Sequence, residues 1–256
     1  MSDSFFDTLQ RAPVSTSAGP VDLPILYRDA TLLTLIYRVD PMRAKACIPH
    51  ESLEPWVALG KALAFLCIFE YRDTTIGPYG EIGVGVLTRR AGTTPSLLAA
   101  LYDLRKDPNA ALYVVNLPVS TEGARAAGVE LWGYPKYVSR METEFGPAGA
   151  RVTLGKEFVL TMGKGRGPWT PGIPFVTYSV NAQDHLVRTV IEVDNKVQWG
   201  GTGSVKLELG EHGPTSESLR TLGVAGQKPA FAFRTDKMRS ILPQGVDLGS
   251  VLGAPS

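Results

Sequence analysis

A chain of 256 residues with 44% hydrophobic and 20% charged side chains has an ordinary globular composition, long enough to bury an extensive core. Its formal net charge of +1 excludes an electrostatic case for nucleic acid or an anionic membrane as partner. Cys47 and Cys67 lack metal-ligand spacing, no apolar stretch approaches the ~20 residues of a membrane span, and the acidic start lacks the order of a signal peptide, so a soluble cytoplasmic protein with reduced cysteines is expected.

Residues 1–26 predict a short helix around Phe5, Phe6 and Leu9, then a Pro/Ser/Gly-rich connector to Pro24; residues 27–256 read as a single domain. Strand signals follow. Leu32 to Val39 is rich in β-branched and large apolar residues, Leu63 to Tyr71 alternates, and Glu81 to Thr88 follows a Gly-Pro-Tyr-Gly turn. A helix is expected over Ser96 to Leu104, a strand over Ala111 to Leu117, and a second helix over Thr121 to Glu130. Tyr137 to Phe145 and Ala150 to Met162 read as two strands around a Gly-Pro-Ala-Gly turn. Phe175 to Val180, Leu186 to Val197, Ser204 to Leu209 and Pro229 to Arg234 add four more, and Pro214 to Leu222 starts like a capped helix.

Many short strands, Gly/Pro turns and few helices do not form a βαβ succession. The order predicts an α+β, mainly antiparallel β fold: a curled sheet or β-barrel with a central cavity and a few flanking helices.

Several patterns carry no chemistry. Gly80-Glu-Ile-Gly-Val-Gly85 lacks the spacing and following helix of a dinucleotide fingerprint, and reads as a turn entering a strand. Gly163-Lys-Gly-Arg-Gly167 lacks the Gly-Lys-Ser/Thr end of a phosphate loop, and reads as a solvated loop able to reach over a pocket mouth. His50, His185 and His212 have no paired spacing, so neither a metal site nor a histidine-based triad is expected. Lys136 differs because of its company. By composition a lysine after proline belongs on the surface. Yet Trp132, Tyr134 and Tyr137 surround it at a helix-to-strand transition that could aim one side chain inward. A lysine attacks a carbonyl only as the neutral amine, which burial favours.

Glu130-Leu-Trp-Gly-Tyr-Pro-Lys136 resembles the lysine motif of the acetoacetate decarboxylases, Glu-Leu-x-x-Tyr/Phe-Pro-Lys, which carries their Schiff-base lysine. Tyr27-Arg-Asp, Leu35-Ile-Tyr-Arg-Val-Asp40 and Ile48-Pro-x-x-Ser-Leu-Glu54 resemble that family's N-terminal region. Tyr79-Gly-Glu81 falls where the family has an active-site glutamate, and Thr161-Met-Gly163 matches a Thr-Met-Gly further along. The resemblance implies that Lys136 is the imine-forming nucleophile and that Glu81 orients groups and handles protons. It implies that Arg28, or its competitor Arg38, meets a substrate carboxylate, and that Tyr134 and Trp132 wall the pocket. It also implies a small oxo-acid substrate, no metal or organic cofactor, and a homo-oligomer.

Two departures bear on the reaction. The family's nucleophile is followed by a second lysine whose charge activates it, and here Tyr137 follows. The family also carries a further acid in the strand around Phe65-Leu-Cys-Ile-Phe69, where the only nearby acid is Glu70. The sequence therefore predicts a cofactor-independent Schiff-base lyase that decarboxylates acetoacetate or a related 3-oxo acid. Its alternatives are a Schiff-base aldolase or dehydratase acting on pyruvate or another 2-oxo acid, and a non-catalytic small-molecule-binding barrel.

Overall fold

The computed structural model describes residues 5–7, 9–94 and 103–250. The chain opens with a hairpin of β1 (Ala12–Thr16) and β2 (Gly19–Leu23), so the stretch expected as a connector is paired strand. Strand β3 (Ile25–Val39) leads to helix α1 (Pro41–Ala46), then β4 (Leu53–Pro55), β5 (Val57–Ala58), β6 (Lys61–Thr74), β7 (Tyr79–Arg90) and β8 (Ala110–Asn116). Helix α2 (Glu122–Trp132) precedes β9 (Met141–Gly146), β10 (Gly149–Leu154), β11 (Phe158–Gly163), β12 (Trp169–Pro171) and β13 (Phe175–Val180). Strands β14 (His185–Asp194), β15 (Lys196–Trp199) and β16 (Lys206–Leu209) come next, followed by helix α3 (Pro214–Thr221), β17 (Phe231–Leu242) and β18 (Val246–Ser250).

Hydrogen bonding runs β17-β3-β6-β7-β8-β13-β14, and β14 pairs back onto β17, closing a barrel of seven strands. Within that ring β8 and β13 are the parallel neighbours. Parallel neighbours need a long crossover. The excursion between them carries α2, the lysine segment and most of a second sheet of order β16-β11-β10-β9. The region from Ala150 to Met162, read as one strand, breaks at Gly155 into β10 and β11, which pair with each other. Leu186 to Val197 likewise divides into β14 and β15. The helix expected over Ser96 to Leu104 falls mostly outside the described residues. Helix α1 has a readable signal: Asp40 accepts from the Met42 and Arg43 amides at 2.8 and 3.3 Å, and Pro41 takes the first turn.

Alternation along the central strands sorts two cores. On β6 and β7, Leu66, Ile68, Ile82, Val84 and Val86 join Val152, Leu154, Phe158 and Leu160 of the second sheet and Leu219 of α3. Cys67, Phe69, Tyr71 and Tyr79 point the other way, into the barrel, with Val114, Trp132 and Tyr134. The barrel wall is thus buried on both faces over this arc. That is why β6, expected to alternate over Leu63 to Tyr71, is instead buried without a break from Leu66 to Phe69. Each large aliphatic or aromatic side chain buried this way is worth about 1.5–3 kcal/mol of transfer free energy. Among the described residues, no helix is long and apolar enough to cross a membrane.

Candidate active site

Helix α2 aims the lysine. Thr121 caps its start, and it ends at Gly133, whose φ of 68° is left-handed. A β-carbon at Gly133 would overlap the backbone of Val180 and Asn181, so this position requires glycine on steric grounds too. The Tyr134 amide then reaches back to Gly128 O at 3.0 Å. Pro135 sits at the centre of a tight turn in which Lys136 N–H donates to Tyr134 O at 2.7 Å. Residues 117–120 form a ribbon between this segment and β7. On one side Leu117 N and Val119 N donate to Pro135 O and Tyr137 O; on the other Ile82 N and Ser120 N donate to Pro118 O and Gly80 O. Glu81 and Lys136 are therefore held from opposite edges of one short ribbon.

Across that ribbon the Lys136 Nζ lies 2.7 Å from Glu81 Oε2, with side-chain exposures of 5% and 9%. The lysine stem lies against bare backbone at Gly128, where an added β-carbon would collide with its Cδ and Cε. The Nζ stands 5.7 Å from the Tyr79 ring centroid and 6.0 Å from that of Tyr134. Tyr71 OH makes a long 3.4 Å contact with Glu81 Oε1, and the Tyr27 and Tyr79 hydroxyls meet at 3.0 Å. Burial, followed by the charge of Glu81, pushes the Tyr71 and Tyr79 phenols well up. Burial pushes Tyr134 up to about 12. These tyrosines therefore remain neutral donors at physiological pH. Burial also raises the Cys67 thiol to about 12, which leaves it protonated and unreactive.

The pair opens onto a cavity of about 90 Å³ inside the barrel. That is room for a small molecule rather than a drug-sized ligand. Its walls are mostly apolar, and Lys136 is the cation among the described residues that lines it. No cluster of three or more His, Cys, Asp or Glu among the described residues could hold a metal ion.

Of the residues singled out by sequence, the fold brings Lys136, Glu81 and Tyr134 together. Trp132 stands behind the wall: it stacks on Tyr134 at 6.2 Å and donates its indole N–H to Pro243 O at 2.9 Å. Arg28 lies outside the cavity, exposed, 3.5 Å from Asp73. Strand alternation is the reason, because its neighbour Tyr27 takes the inward position. Arg38 lies in a separate surface depression with Asp40 and Arg43. Glu70 also faces away, toward Arg72 and Thr143, while Phe69 and Tyr71 face in. Tyr137, one residue past the lysine, points away from the cavity and donates to Glu157 Oε1 at 2.8 Å. Glu130, which opens the lysine motif, accepts from the Ser17 amide and hydroxyl and so ties the N-terminal hairpin to α2. Sequence reasoning missed Tyr27 and Tyr71, for which inward parity was the available signal.

Solved structures share this fold. An acetoacetate decarboxylase from Legionella pneumophila superposes with a TM-score of 0.65 at 17% identity, over 96% of this chain and 94% of that one. Another acetoacetate decarboxylase gives 0.67 at 19% identity, over 98% and 100%. The enduracididine biosynthesis enzyme MppR, complexed with pyruvate, gives 0.62 at 15% identity, over 93% and 99%. No curated protein sequence matches significantly. The family profile described as acetoacetate decarboxylase matches residues 10–239. That match runs nearly the whole length of the chain, and the protein belongs to the acetoacetate decarboxylase family.

Proposed function

We propose that this protein is a cofactor-independent lyase that decarboxylates acetoacetate or a related small 3-oxo acid through an imine on Lys136. The observation that carries the reading is the 2.7 Å Lys136–Glu81 pair at the wall of a small apolar cavity. The ammonium passes a proton to the Glu81 carboxylate, and the freed amine adds to the ketone carbon. Loss of water, with the proton returned, gives a protonated imine. The bond to the carboxylate then breaks, its electron pair flows into the iminium, and carbon dioxide leaves an enamine. Protonation of the enamine carbon from the Glu81 side restores an iminium, which water hydrolyses to the ketone and the free amine.

Tyr137 supplies no activating charge, since it faces away from the cavity. The task of favouring the neutral amine therefore falls to burial in the apolar cavity, with Glu81 as the proton acceptor. The same imine would also serve condensation with a 2-oxo acid. That second reading is favoured by the fold-sharing MppR, which has been solved with pyruvate and with a condensation product of pyruvate.

The test is borohydride trapping with acetoacetate and separately with pyruvate, read by intact mass and carbon dioxide release, with Lys136→Ala as control. The expected result is an adduct on Lys136 and gas release with acetoacetate, both lost in the variant. An adduct without carbon dioxide would turn the assignment to the condensing enzyme. No adduct with either compound would leave a barrel that binds but does not catalyse.

A further inference from the structure

The cavity is one-ended in its charge. Its ionisable pair is Glu81 and Lys136, where Tyr27 and Tyr71 also present hydroxyls. The rest of the lining carries the neutral hydroxyls of Thr177 and Ser240 among apolar groups. Beyond the pair β7 continues inward as Glu81, Gly83 and Gly85, each alternate residue facing the bore. The register sets Glu81 opposite Phe69, Gly83 opposite Cys67 and Gly85 opposite Phe65. Four residues of strand place Gly85 roughly 13 Å from Glu81. A glycine inside a strand marks a place where something approaches closely. Here two consecutive inward positions are bare. A side chain at either would press on Leu117 or on the Tyr113 carbonyl and occupy the bore. Phe65, Leu112, Val114, Phe175 and Ile191 close the far end, and none can hold a charge.

We infer that the substrate is a carbonyl acid whose far end is a short, uncharged alkyl or aryl group, seated along the Gly83–Gly85 wall. This deepens the Schiff-base reading and rests on it for the reacting end. A methyl group, as in acetoacetate, leaves that wall uncovered. A second carboxylate there would lose its hydration with no cation among the described residues at that end to meet it, since Arg28 and Arg38 lie outside.

The experiment is a series of 3-oxo acids: acetoacetate, 3-oxopentanoate, 3-oxohexanoate, 3-oxo-octanoate and the charged-tail 3-oxoadipate. The expected kcat/KM rises roughly fourfold per added methylene until the bore is full, and 3-oxoadipate falls below 3-oxopentanoate. Gly83→Ala, whose methyl meets the movable Leu117 side chain, should shift the optimum to a shorter acid. Ile191→Phe should do the same from β14, which covers the case where the glycine variant fails to fold. Acetoacetate preferred over every longer acid, or 3-oxoadipate equal to 3-oxohexanoate, would overturn the inference. A separate arm uses Lys136→Ala, which cannot form an imine, and measures calorimetric binding of methyl ketones from 2-butanone to 2-octanone. Flat affinities there overturn the tail site whatever the trapping result. A graded series without any trapped adduct in the unmodified protein overturns only the Schiff-base reading.

Discussion

Two buried glutamates flank the same two residues of chain, and their surroundings differ in kind. Glu157 meets Tyr137: its Oε1 accepts from the phenol at 2.8 Å, and its Oε2 accepts the Thr215 and Ser216 amides at 2.7 and 3.3 Å. It thereby caps helix α3, whose own N-cap residue, Gly213, has no side chain to do so. Glu81 meets Lys136 at 2.7 Å and, among the described residues, otherwise makes a long phenol contact, on the edge of a cavity. A carboxylate saturated by amides is tied to one structure. A carboxylate with one strong partner and open space beside it can change partners. Extended geometry sends neighbouring side chains to opposite sides, so one dipeptide meets both the helix-capping glutamate and the cavity-edge one.

The largest expected effect is on turnover. Glu81→Gln should lower carbon dioxide release by roughly 10²–10⁴-fold, the range for losing a positioned proton-transfer group. A loss below tenfold would reduce Glu81 to a counter-ion and erase the contrast. Next comes stability. Glu157→Ala strands the first amides of α3 and the Tyr137 hydroxyl, and should cost about 3 kcal/mol in urea unfolding. If it costs less than about 1 kcal/mol, Glu157 does not anchor α3. The smallest effect sharpens the comparison most. Replacing the pair by apolar residues, Lys136→Met with Glu81→Leu, should leave unfolding free energy within about 1 kcal/mol of the starting protein. That double variant should be inactive. A large destabilisation would show that the ion pair also holds the fold.

The strands of the barrel were legible because β-branched and aromatic runs between Gly/Pro turns have few other readings. The motif and the resemblance singled out Lys136 and Glu81, which the fold places 2.7 Å apart at the cavity wall. Inward parity was legible at Tyr27-Arg28-Asp29, where polarity changes, and not along the rest of the strand. β3 is buried on both faces over Leu32 to Tyr37, so its pattern does not say which set looks into the bore. Arg28 was singled out because the resemblance implies an arginine for a substrate carboxylate, and strand alternation turns it outward while Tyr27 faces in. Glu157 escaped notice because its partners come from sequence-distant Tyr137 and from α3. The N-terminal hairpin was hidden by its Pro, Ser and Gly content, although Ser17 bonding to Glu130 shows what holds it.

Gly128 carries a consequence for how far this protein can be stabilised. An interior helix glycine weakens a helix by about 1 kcal/mol relative to alanine. Thermostabilising substitution at such a site is ordinarily a safe gain. Here the missing methyl is the channel through which the lysine stem passes. A firmer α2 and a correctly seated amine exclude each other at this residue. Gly128→Ala would therefore strengthen the helix while displacing the Lys136 stem from its place beside Glu81.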